Sequence, residues 1–209
     1  MTRIKICGIT TTAEAMDAVA GGADVVGFVL VEGSRHQVSP EAVRAMAKSI
    51  PVFVKTTAVI APSTVGEAVG LARRSGADIL QIHGTLEPDE IRGLKKRVHQ
   101  VVVTTVAAGS DDAYDMDGIA DAVLIDTFKE GALGGTGAVH DWALSAKLAK
   151  ALTSPVILAG GLNPSNVADA IRTVNPYAVD VSSGVEINGK KDLAAIKSFV
   201  KEVKSCQPY

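Results

Sequence analysis

Short apolar runs recur along this chain, each closed by a turn and followed by a helical pattern of apolar and polar positions. In order they are Ile4-Ile6, Val25-Val29, Phe53-Val59, Ile79-Ile82, Val101-Val106, Ala122-Ile125, Val156-Ala159 and Ala178-Val181. They are nearly uniformly apolar rather than alternating, the pattern of strands covered on both faces. Their entry signal also repeats, as Gly22-Ala23-Asp24, Gly76-Ala77-Asp78 and Ala120-Asp121-Ala122. A small residue ends the helix and an aspartate turns into the next strand, as short α-to-β connections require. Helix starts are marked by Pro40 after Ser39, Pro88 after Glu87, and Ser165 after Asn163-Pro164.

Eight such strands, each followed by a helix, predict a parallel sheet covered on both sides, and eight is the number that closes a (β/α)8 barrel. An open doubly wound sheet is the alternative. The fifth unit is the weakest, because Gly109 to Gly118 is polar and supports only a short helix. No linker, low-complexity stretch or charge run divides residues 1–209, so a single α/β domain is expected.

Composition narrows the class. Apolar residues make up 47% of the 209 positions and aromatics only 4%, which favours buried parallel strands over an aromatic-rich β-sandwich. A net charge of -2 leaves no electrostatic footprint for nucleic acid or an anionic membrane. There is no charged segment followed by an apolar stretch after Met1, and no membrane-length apolar run, so a cytoplasmic location is expected. Cys7 and Cys206 lie at opposite ends of the chain, and in a barrel they fall too far apart for a disulfide.

The barrel gives each candidate an address, since side chains at the C-terminal ends of the strands face the mouth where such enzymes work. Cys7 ends strand one, His83 strand four and Asp126 strand six, with Asp180 near the end of strand eight. The plain alternatives are a small buried hydrophobe for Cys7 and a turn-capping aspartate for Asp126. Two glycine-bearing loops follow strands seven and eight, Ala159-Gly160-Gly161-Leu162-Asn163 and Ser182-Ser183-Gly184-Val185-Glu186. Barrels commonly hold a phosphate there on backbone N–H groups, so Gly160, Gly161, Ser182, Ser183 and Gly184 are the phosphate candidates. A further run, Gly134-Gly135-Thr136-Gly137, lacks the lysine and spacing of a nucleotide P-loop, and reads as a loop closing over the mouth or a plain surface loop.

In this order, Lys5-Ile6-Cys7-Gly8-Ile9-Thr10, Gln81-Ile82-His83-Gly84, Leu124-Ile125-Asp126, Gly134-Gly135-Thr136-Gly137 with Asp141-Trp142, Leu158-Ala159-Gly160-Gly161-Leu162-Asn163-Pro164 and Asp180-Val181-Ser182-Ser183-Gly184-Val185-Glu186 resemble the phosphoribosylanthranilate isomerase family across essentially the whole chain. The resemblance implies a (β/α)8 barrel using no cofactor and no metal, and a phosphosugar substrate undergoing an Amadori rearrangement. It implies that Cys7 is the base, Asp126 the acid, and Arg35 the partner of the substrate's carboxylate. His83 and Asp180 are further candidates for substrate contact. The loop around Arg35 departs from the family, with Gly33-Ser34-Arg35 in place of Ser-Pro-Arg, and is expected to be less stiff.

Chemistry sets further expectations. A free thiol titrates near about 8.5, so Cys7 needs only a modest downward shift to be largely thiolate at neutral pH. Asp126 must instead hold a proton, which requires an apolar setting or a nearby negative charge. Rival readings are a histidine-pathway or dual-substrate isomerase, which would place an aspartate where Cys7 stands, and a non-enzymatic phosphate-binding barrel. A third is an indole-glycerol-phosphate synthase-like lyase, for whose lysine Lys55 is the candidate, facing the barrel interior or mouth. Monomer and homodimer are both open.

Overall fold

The structure, a computed structural model, describes residues 1–84, 86–127 and 141–206. Among them, eight parallel strands close a barrel in sequence order: β1 Arg3–Cys7, β2 Val25–Val29, β3 Lys55–Ile60, β4 Ile79–Ile82, β5 Val101–Ala107, β6 Ala122–Asp126, β7 Val156–Leu158 and β8 Ala178–Val181. Outside them lie α1 Thr12–Gly21, α2 Pro40–Ala47, α3 Val65–Ser75, α4 Pro88–Lys95, α5 Asp112–Met116, α6 Trp142–Ala151, α7 Val167–Val174 and α8 Leu193–Ser205. Between β8 and α8 the chain makes one 3-10 turn, Ser183–Val185, and a hairpin of β9 Glu186–Ile187 with β10 Lys190–Lys191. The expected (β/α)8 barrel is therefore present, with a fifth helix of five residues as its polar sequence required.

The three aspartates at strand entries do more than turn the chain. Asp24, Asp78 and Asp121 accept the backbone N–H of Ile4, Thr56 and Val102, at 2.9, 2.9 and 2.8 Å, tying each odd strand to the connection that follows it. Each also pairs with a cation, Arg3, Lys55 and Lys95 respectively. Gly22 and Gly76 end α1 and α3 with φ of 100° and 62°, the left-handed region where a Cβ is unfavourable. Ser39 caps α2 by accepting from Ala42, with Pro40 at the first helical position. The main core lies between barrel and helices, where Ile4, Ile6, Val26 and Phe28 meet Ala15, Ala18, Ile196 and Phe199.

Three expectations move. Phe53 is not in a strand: β3 begins at Lys55, and Val52 and Phe53 are 81% and 93% exposed in the preceding turn. Lys55 opens β3 at the N-terminal rim, paired with Asp78, so it faces neither the interior nor the mouth. Helix α7 starts at Val167 rather than near Ser165, because Asn163 and Asn166 fold the segment before it, Asn166 accepting from the Asn163 N–H at 2.8 Å. The Gly134–Gly137 run lies outside the described residues. Among the described residues, no helix is long and apolar enough to cross a membrane.

Candidate active site

The sites of chemistry are set by strand ends. On β1, alternation turns Lys5 and Cys7 to the barrel interior while Ile4 and Ile6 face the helices. On β6 the same alternation brings Asp126 to the mouth, and on β8 it brings Asp180. Cys7, Asp126 and Asp180 line one cavity of about 520 Å3 with Arg35, His36, Gln81, His83 and Ser182. A second cavity of about 440 Å3 opens at the opposite, N-terminal end, lined by Arg3, Lys5, Asp24, Phe53, Lys55 and Tyr177, so Lys5 stands between the two. Of these two cavities, the mouth cavity holds a thiol and a carboxyl together, so it is the candidate site.

Cys7 is 8% exposed. Burial pushes its thiol above the ordinary value, and the Lys5 ammonium pulls the other way without cancelling the effect. The modest downward shift that a thiolate at neutral pH needs is therefore not found at Cys7, because desolvation outweighs the adjacent cation. Asp126 behaves as required of an acid. Burial raises it to about 6, aided by Asp180 and opposed by the Thr127 N–H that its Oδ1 accepts at 2.7 Å.

Asp180 accepts from Lys5 Nζ at 2.8 Å through Oδ2, with both side chains at most 10% exposed. Its Oδ1 is buried and has no hydrogen-bond partner among the described residues, and Asp180 is part of the cavity lining. His83 ends up on the same wall, kept neutral at pH 7 by burial and by Lys5.

Arg35 reaches the cavity wall from the loop after β2. Within that loop, Gln37 accepts from the Gly33 N–H through Oε1, and its backbone N–H donates to the Ser34 carbonyl. The Arg35 guanidinium donates to Glu186 Oε2 at 2.8 Å, and Lys191 Nζ donates to Oε1 of the same carboxylate at 2.5 Å. Lys191, whose side chain is 1% exposed, also donates to the Ser182 carbonyl and hydroxyl. His36 stands 3.0 Å from Glu186 and is held neutral by burial and Lys191.

The phosphate candidates fall on two interlocked loops at the same rim. A Cβ at Gly184 would collide with the Leu162 carbonyl, and one at Gly160, where φ is 88°, with Thr127. Of the five candidates, Ser182 lines the cavity, while Gly160, Gly161, Ser183 and Gly184 stand behind it, half-buried. Among the described residues, no group of three or more His, Cys, Asp and Glu side chains is placed to hold a metal ion.

Sequence reasoning missed Lys5, Glu186, Lys191 and Gly27. Lys5 carried a signal, a charge within an apolar strand two residues before a candidate nucleophile. Gly27 carried one too, a glycine in a strand interior, which marks a close approach.

Residues 4–202 match the family profile described as N-(5'phosphoribosyl)anthranilate (PRA) isomerase. The N-(5'-phosphoribosyl)anthranilate isomerase of Methanothrix thermoacetophila is 50% identical over 208 residues, 99% of this chain and 100% of that protein. The solved structure of phosphoribosyl anthranilate isomerase from Thermotoga maritima superposes with a TM-score of 0.88 at 34% identity, covering 98% of this chain and all of that one. A structure of such an isomerase in complex with reduced 1-(o-carboxyphenylamino)-1-deoxyribulose 5-phosphate superposes at 0.82 with 35% identity, over 98% of this chain and all of that one.

Proposed function

The chain belongs to the N-(5'-phosphoribosyl)anthranilate isomerase family, and from that premise we infer that it catalyses the Amadori rearrangement of N-(5'-phosphoribosyl)anthranilate in tryptophan biosynthesis, with Cys7 as base and Asp126 as acid. Asp126 gives its proton to the ring oxygen. The C1–O bond breaks, the oxygen stays on C4 as a hydroxyl, and the anthranilate nitrogen lone pair forms the C1=N iminium. The Cys7 thiolate then takes the proton from C2, and the C–H electrons form the C1=C2 bond of an enolamine as the nitrogen recovers its lone pair. Adding a proton at C1 and removing one from the C2 hydroxyl gives the ketone, 1-(2-carboxyphenylamino)-1-deoxyribulose 5-phosphate. The iminium charge beside the sulfur favours the thiolate at the moment it is needed, which offsets the burial that otherwise disfavours it.

Arg35, which now donates one hydrogen bond to the Glu186 carboxylate, takes the anthranilate carboxylate with two parallel hydrogen bonds. Asp180 Oδ1 and His83 take sugar hydroxyls. The phosphate lies against Ser182 and the N–H groups of the Gly160-Gly161 and Ser183-Gly184 segments. The observation that best supports this reading is that a buried thiol, a carboxyl raised to about 6 and a guanidinium line one cavity. It is tested by supplying purified protein with freshly made phosphoribosylanthranilate and following loss of anthranilate-type fluorescence. Turnover is expected with this substrate and far less with the histidine-pathway aminoaldose. No turnover, or preference for the aminoaldose, contradicts the reading.

A further inference from the structure

We propose that Lys5 is the positioning residue for the base of this reaction: its ammonium group, fixed by Asp180 at 2.8 Å, is the counter-ion against which the Cys7 sulfur carries negative charge during turnover. The proposal rests on the reading of Cys7 as the base and adds to it the group that makes a buried thiolate tolerable.

Geometry carries the argument. Lys5 and Cys7 are two residues apart on β1 and point into the barrel together. Gly27 is the β2 residue opposite Cys7, and its Cβ position would lie 2.9 Å from Cys7 Sγ and 3.1 Å from Lys5 Cε. The sulfur and the lysine stem therefore stand side by side over a gap that only glycine leaves. Lys5 Nζ has three N–H donors, of which one goes to Asp180 Oδ2, which leaves donors for the sulfur.

The other charged and titratable groups around Cys7 act on it less than Lys5 does. From β10, Lys191 also favours the thiolate, but more weakly than Lys5, and its hydrogen bonds go to Glu186 and Ser182. From the loop after β2, Arg35 is held by Glu186, and His36 is kept neutral by its burial. From β4, His83 is likewise neutral at pH 7, while Asp126 on β6 and Asp180 on β8 bring carboxyl groups. Burial lowers the Lys5 ammonium, but Asp180 and Cys7 together more than offset it, so Lys5 stays charged through the working range. A buried Lys–Asp pair is a weak device for stability, since apolar replacements of such pairs are often neutral or better. Beside a sulfur that must ionise, it has a chemical use.

The test reads the sulfur directly. In a Cys206→Ser background, cysteine labelled with carbon-13 at Cβ lets NMR titrate Cys7 alone. Lys5→Met should raise the titration midpoint by about one pH unit or more, move the alkaline limb of kcat/KM upward with it, and lower kcat at neutral pH by about tenfold or more. Lys5→Arg, which keeps the charge, should hold the midpoint near that of the parent and restore part of kcat. Because Lys5→Met strands Asp180 without its partner, Lys5→Met/Asp180→Asn provides a second route. Removing both charges should also raise the midpoint, since the Lys5 effect on the sulfur exceeds that of Asp180. An unchanged midpoint in folded Lys5→Met or in the double variant overturns the proposal. If Cys7→Ser is inactive while neither variant moves the midpoint, only the role of Lys5 falls. If Cys7→Ser turns over like the parent, the reading of Cys7 as base falls, and this proposal falls with it.

Discussion

Gly27 lies directly across the β1–β2 ladder from Cys7, and a methyl group there would stand 2.9 Å from the Cys7 sulfur. Sulfur and carbon cannot approach that closely, so the sulfur has room only because this position has no side chain. Gly27→Ala is expected to displace Sγ and the Lys5 stem together. Misplacing a reacting group by that order lowers kcat by about 10²-fold, while overpacking the barrel interior destabilises by about 1–3 kcal/mol. Steady-state kinetics and thermal unfolding on the same sample check both; a variant with normal kcat shows that the sulfur's position does not matter.

The acid and base titrate in an inverted order. Asp126 is raised to about 6 by burial, and burial also holds Cys7 above the ordinary thiol value, so in the free protein the carboxyl gives up its proton first. The working form, protonated Asp126 with a Cys7 thiolate, is then a minor member of the singly protonated pair. On this account kcat/KM rises as pH passes about 6, where the pair loses its first proton, and falls as pH passes the value of the thiol. Asp126→Asn removes the limb near 6. A pH profile that keeps this limb in the variant assigns it to another group.

Arg35 and Glu186 divide substrate binding from stability. Arg35→Ala is expected to raise KM by about 10–100-fold with little change in kcat, the loss of a charged hydrogen-bonded contact. Arg35→Lys should not restore it, because an ammonium lacks the two parallel donors. Glu186→Gln instead removes the counter-charge of the buried Lys191, which destabilises by about 3–5 kcal/mol and lowers Tm by roughly 10 °C. Burial opposes the charge on Glu186, but Lys191 and then His36 and Arg35 hold its titration below the usual value. Its contribution to stability is thus complete above the ordinary carboxylate range and lost as pH falls through that depressed value. Thermal melts of parent and variant across acid pH should converge; parallel curves contradict this.

Gly184 fixes how the two final loops meet. Its Cβ would collide with the Leu162 carbonyl, a backbone atom that cannot turn aside as a side chain does. Gly184→Ala should part the loops and weaken competitive inhibition by inorganic phosphate by about tenfold, close to the loss of one charge-assisted hydrogen bond. Unchanged inhibition places the phosphate elsewhere.

Much of this architecture is legible in the sequence because barrel strands are covered on both faces, so apolarity alone marks them. Val25–Val29, Ile79–Ile82 and Ala178–Val181 fall where the apolar runs put them. Phe53 misleads for the same reason, since apolarity does not separate a buried strand residue from one exposed in a turn. Cys7 and Asp126 are legible as strand-terminal residues. The upward shift of Cys7 is not, because it depends on how much water the folded barrel removes. The Glu186–Lys191 pair was readable in principle: Asn188 and Gly189, with φ of 52° and 76°, are the hairpin signature that brings those two residues together. Lys5 was hidden because a lysine in an apolar strand is ordinarily assigned to the solvent side.

The most direct test is the steady-state kcat on phosphoribosylanthranilate for Cys7→Ser and Asp126→Asn beside the parent protein. Each substitution should lower kcat by about 10²–10⁴-fold, with KM changed far less. If either variant turns over at the parent rate, these two side chains do not share the proton transfers of the reaction.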